Sequence, residues 1–112
     1  MSFGNKIDEY SINFYGKRKN DGDFIARINL YEDGGPYLGN VVFYRDGQQI
    51  PPTWADENRT PKRVHLKMHE RQIDSVIDML RNEKPCYVHY HSPTWAWIST
   101  GREPVGEEES EE

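Results

Sequence analysis

With 112 residues, 35% of them hydrophobic and 12% aromatic, the chain fits one domain around a small, aromatic-rich core, and no stretch approaches the roughly 20 apolar residues of a membrane helix. Its single cysteine, Cys86, excludes an internal disulfide and a multi-cysteine zinc site, and suits a reducing compartment. The net charge of −5 is unevenly placed, because six of the 19 acids stand in residues 103–112 and the other 13 face all 14 Lys and Arg.

The first residues, Met1 to Lys6, lack the apolar run of a secretory signal, so a cytoplasmic protein is expected. From Glu9 to Gly16 the chain alternates with period two, Tyr10, Ile12 and Phe14 against Ser11, Asn13 and Tyr15, which predicts a half-buried strand. Lys17-Arg18-Lys19-Asn20-Asp21-Gly22 is a polar turn. Phe24, Ala26, Ile28 and Leu30 then alternate against Ile25, Arg27, Asn29 and Tyr31, predicting a second strand. Asp33-Gly34-Gly35-Pro36 is a strong turn signal, and a third strand, Tyr37 to Arg45, ends at Asp46-Gly47, a pair suited to a tight hairpin. Two such turns predict an antiparallel meander.

The segment from Ile50 to Pro61 shows no periodicity and contains Pro51, Pro52 and Pro61, so it reads as a loop whose Trp54 docks on the body. A fourth strand is expected from Lys62 to Met68, with Val64, Leu66 and Met68 inward and Arg63, His65 and Lys67 outward. A helix follows from about His69 to Asn82, with Ile73, Val76, Ile77 and Leu80 at i, i+3, i+4 and i+7. It lacks a good capping residue at its start and has stopped before Pro85. Cys86–His91 and Trp95–Thr100 are two strands joined by Ser92-Pro93-Thr94. If Val88 and Ile98 point inward, period two puts Tyr87, His89, His91, Trp95 and Trp97 on the opposite side. The expected fold is therefore α+β: one antiparallel sheet of five to six strands, in the order β-β-β-β-α-β-β, with one amphipathic helix. The single domain spans residues 1–102, and 103–112 form an acidic, disordered tail.

Nothing in the chain marks an enzyme. No Ser-centred elbow, catalytic carboxylate pair or cofactor fingerprint occurs, and Gly34-Gly35 lacks the lysine and helix of a phosphate loop. Cys86 reads as a packed thiol, and no cofactor is expected. His89 and His91 at i and i+2 share a side of a strand and would need His65 as a third ligand, but no neighbouring carboxylate orients their rings, so no metal site is assigned.

The residues that alternation turns away from the core mix rings with bases: Arg27, Tyr31, Lys67, Tyr87, His89, Trp95 and Trp97, with Lys17 and Arg18 at a hairpin tip. On one sheet face, such a set is a platform for single-stranded nucleic acid, rings stacking on bases and cations meeting phosphates. The same face would equally serve a homodimer or an adaptor burying its rings against protein, and alternation alone also allows Trp95 and Trp97 to fill the core. The acidic tail either competes with an anionic ligand for the basic face, recruits a protein partner, or only confers solubility. In outline, a ring-bearing β domain with an acidic C-terminal run resembles the small single-strand-binding proteins of phages and bacteria. Three strands, a helix and a final hairpin resemble an OB-fold, whereas four strands followed by a helix resemble the PC4-like single-strand-binding fold.

Overall fold

A computed structural model describes residues 2–16 and 24–102; Lys17, Arg18 and the acidic run at 103–112 lie outside the described residues. The fold is α+β, with two sheets and one helix among the described residues. Strands β2 (Glu9–Phe14), β3 (Phe24–Tyr31) and β4 (Tyr37–Tyr44) form the expected antiparallel meander, with Ile12 opposite Ile28 and Ile28 opposite Val41.

After β4 the expectation fails. Gly47 adopts φ +87° and the Gln48 amide donates to the Arg45 carbonyl at 3.1 Å, but this turn opens no hairpin. Pro51 and Pro52 lack the N–H groups that a strand returning along β4 would donate, so the chain crosses over instead. It comes back as β6 (Arg63–His69), parallel to β4, and a three-residue strand within the supposed loop, β5 (Trp54–Asp56), pairs antiparallel with β6. The sheet order is β2-β3-β4-β6-β5, mixed rather than purely antiparallel.

A further strand that the alternation did not reveal, β1 (Phe3–Ile7), joins β7 (Cys86–Ser92) and β8 (Trp95–Thr100) in a separate sheet ordered β1-β7-β8. Only Asp8 separates β1 from β2, and there the chain passes from one sheet to the other. The Asp8 amide donates to the Tyr31 carbonyl at 2.9 Å and its carboxylate accepts the Asp33 amide at 2.8 Å, fixing that corner. Among the described residues, the expected five or six strands in one sheet are thus eight strands in two.

Helix α1 (Ile73–Asn82) follows a 3-10 turn at Glu70–Gln72 and starts without a side-chain cap. Its apolar stripe buries Ile73 and Val76 and lays Ile77 and Leu80 against the core. That core is continuous: Ile28, Leu30, Val41, Phe43 and Val64 from the five-stranded sheet meet Ile7, Cys86 and Val88 from the three-stranded one. The inner faces share this core, and the two outer faces belong to different sheets. Each fully buried residue such as Ile28, Leu38, Phe43 or Val88 contributes about 1.5–3 kcal/mol. The core is mainly aliphatic around one fully buried ring, Phe43, where an aromatic-rich core was expected. Alternating Ile, Leu and Val on β3, β4 and β6 fill it, which leaves Phe14, Trp54, Trp95 and Trp97 exposed by 65, 49, 58 and 37%.

Gly39 marks the closest approach inside the large sheet. Its φ of +114° lies at a register shift, and a Cβ there would overlap the backbone of Val64 on β6. Among the described residues no helix is long and apolar enough to cross a membrane.

Candidate functional site

Period two sorts the five-stranded sheet into a core face and an outer face, and register then aligns the outer residues in rows. One row runs Asn13, Arg27, Val42, Lys67; the next runs Ser11, Asn29, Asn40, His65, Trp54. Tyr31 faces Tyr37 in a third, with ring centroids 5.7 Å apart, and Arg63 stands opposite Asp56 at the rim.

The central row is a chain of directed hydrogen bonds. Asn40 Nδ2 donates to the Tyr37 hydroxyl at 3.0 Å, which leaves Asn40 Oδ1, 3.3 Å from His65 Nδ1, as an acceptor. The contact is satisfied by the His65 tautomer that carries its proton on Nδ1, which leaves Nε2 as an acceptor. Tyr37 donates onward to Asn29 Oδ1 at 3.3 Å, and Asn29 Nδ2 to Ser11 Oγ at 3.4 Å. Burial, reinforced by the Lys67 and Arg63 charges and opposed by Asp56, pushes the His65 pKa down to about 4, so the ring is neutral at physiological pH. The Trp54 indole stacks on it at 3.9 Å and 18°.

Around this neutral centre stand three cations. The Arg27 guanidinium lies 5.7 Å from the Tyr15 ring centre and that of Arg63 lies 5.0 Å from Tyr37. The Nε atoms of both arginines are buried without a hydrogen-bond partner. Burial, with a smaller contribution from Arg27, lowers the Lys67 pKa. Among the described residues no carboxylate comes within ion-pair distance of any of the three; Asp56 pairs instead with Arg59 at 3.2 Å. Two buried guanidinium donors and a partly desolvated ammonium on one face are costly without an anion.

The outer face of the small sheet differs. His89 lies over Gly4, where a Cβ would collide with its ring. The imidazole stacks at 4.9 Å on Trp97 and stands 3.1 Å from Ser99 Oγ through Nε2. Trp95 lies 5.7 Å from Trp97 and 4.5 Å from His91, and Tyr87 stands 6.0 Å from His89. Rings dominate here, and the nearest cation on this face, Lys6, lies 3.8 Å from Asp8.

The supposed single platform is therefore divided. Arg27, Tyr31 and Lys67 lie on the five-stranded sheet, while Tyr87, His89, Trp95 and Trp97 lie on the other, although Lys67 and Trp97 both line one groove. Lys17 and Arg18 lie outside the described residues. The same division separates His65 from His89 and His91, and no group of three metal-binding side chains occurs among the described residues. The sequence reading missed Trp54, Tyr37 and Asn40 as members of the site. A lone Asn immediately before the run Val41-Val42-Phe43-Tyr44 was the available signal, since an amide in a buried strand needs partners. No family model, curated protein or solved structure matches the chain.

Proposed function

We propose that this domain binds single-stranded nucleic acid, without catalysing a reaction, on the outer face of its five-stranded sheet. The observation that carries the reading is the interleaving of Arg27, Arg63 and Lys67 with the Trp54–His65 stack and the Tyr31–Tyr37 pair on one face. The cations answer phosphates, the exposed indole offers a base its face, and Nε2 of His65 and the amides of Asn29 and Asn40 suit base edges. The single buried thiol suits a cytoplasmic setting.

A fluorescein-labelled oligothymidylate titrated at low salt tests it by anisotropy. Binding that weakens with salt and tightens when residues 103–112 are deleted is expected. If neither the intact nor the truncated chain binds, the proposal is wrong.

The second reading, a dimerising or adaptor interface, is favoured at the other face, where Trp95 and Trp97 are exposed with little charge beside them. The acidic run would there serve as an additional contact for a basic protein partner.

A further inference from the structure

The three-stranded sheet ends in β8, whose outward backbone edge pairs with no other strand among the described residues. Proteins ordinarily guard such edges with charge, proline or shortness. Three of the four edge strands do so: β1 carries Lys6, β2 carries Glu9, and β5 has three residues including Asp56. β8 reads Trp-Ala-Trp-Ile-Ser-Thr and has none of these devices.

Beside it runs an open groove of about 680 Å³, with Ala96 and Ile98 of β8 on one side, Ser75 and Met79 of α1 on the other, and Leu66 and Met68 of β6 between them. Lys67 is the one charged residue among those that line it.

We infer that this groove takes an extended, uncharged peptide segment of another protein, which adds to β8 as a fourth strand and sends alternate apolar side chains onto Leu66, Met68 and Met79. Main-chain hydrogen bonds to β8 supply affinity, and the groove reads every second residue. The six residues of β8 match about 20 Å of extended chain, and the scarcity of charge along the walls selects a neutral strand over the Glu-rich run 103–112. A second copy of this chain fits less well. α1 lines the same groove, so a strand added to β8 meets the helix where a second copy's sheet would have to continue. Lys67 is shared with the proposed nucleic-acid face, but Ser75 and Met79, the positions tested, lie on α1 and outside that face, so the two readings fail separately.

The test is selection from a phage-displayed random heptapeptide library against the full chain, followed by titration of the enriched peptides as synthetic, end-blocked molecules. Apolar residues at alternate positions, slowed amide exchange in β8 on binding, and at least tenfold weaker binding to Ser75→Trp are expected. Ser75 is exposed, so that variant fills the groove and keeps its thermal midpoint. Peptides without the alternating pattern, equal binding to Ser75→Trp, or a chain that doubles its mass with concentration while protecting its own β8 amides would each overturn the inference. Met79→Glu, on the helix side of the groove, gives the same readout through a second position.

Discussion

Replacing Lys67 with Met separates what this face contributes to stability from what it contributes to binding. The Lys67 ammonium is partly buried and faces the Arg27 charge, both of which disfavour its charged form in the folded protein. Its stem packs as a Met would, so Lys67→Met removes a destabilising charge at little steric cost, and the thermal midpoint should rise. Binding should move the other way. Single strands release counterions with a slope of about −0.7 per neutralised phosphate in a plot of log K against log salt. With Arg27, Arg63 and Lys67 each meeting one phosphate, the parent slope is about −2.1, an approximately 18-fold loss of affinity between 50 and 200 mM salt. The variant slope is about −1.4, roughly a 7-fold loss over the same range. Anisotropy titrations of a labelled oligothymidylate at several salt concentrations, with melting curves of both proteins, measure the two effects together. An unchanged slope in Lys67→Met, or a parent slope shallower than about −0.7, would refute the assignment of these cations to phosphates.

Trp54→Ala removes the exposed ring of the stack with His65 and should cost about 1–3 kcal/mol of binding, a loss of roughly 5- to 150-fold in the same titration, whereas Trp97→Ala on the other sheet should leave it within about twofold. His65 titrates near 4 in the fold against about 6.5 unfolded. The unfolded chain therefore binds the proton first, and the stability His65 confers is full above pH 6.5 and is lost as pH falls toward 4. Allowing for solvent screening of a half-buried ring, the loss is roughly 1–2 kcal/mol. Thermal midpoints measured across that window should fall less steeply in His65→Phe than in the parent, and parallel curves would contradict the burial argument. Gly39→Ala combines a left-handed φ with a Cβ set against the Val64 backbone, so chemical denaturation should show a loss of roughly 2–4 kcal/mol.

Local periodicity made much of the fold legible. The β2-β3-β4 meander, the apolar stripe of α1 and the β7-β8 hairpin each follow from spacing of two or of 3.6 residues, because short-range geometry decides them. Three features were not legible, and each depends on a long-range choice. The strand Phe3-Gly4-Asn5-Lys6-Ile7 shows little alternation and becomes β1 by pairing with β7, far away in sequence, as in Phe3 opposite Tyr90. The parallel seating of β6 on β4 depends on where the crossover lands. Trp54 looked like a loop residue because the strand that carries it is three residues long, held in place by pairing to β6.

The candidate site followed the same pattern. Alternation correctly turned Arg27, Lys67, Trp95 and Trp97 outward, but outwardness is a property of one strand, and a shared face is a property of the sheet. Asp8 decides the second question. By ending β1 and starting β2 at a corner held to Tyr31 and Asp33, it gives the chain two outer faces where one had been inferred. The consequence is chemical as well as geometric. Cations partly withdrawn from water are tolerable where an anion completes them, and exposed indoles with little charge beside them suit a neutral partner, so the faces call for different ligands. Asp8 lies on neither face and its carboxylate holds the Asp33 amide, so the separation between those two chemistries is built into the backbone and does not depend on the side chains that carry them.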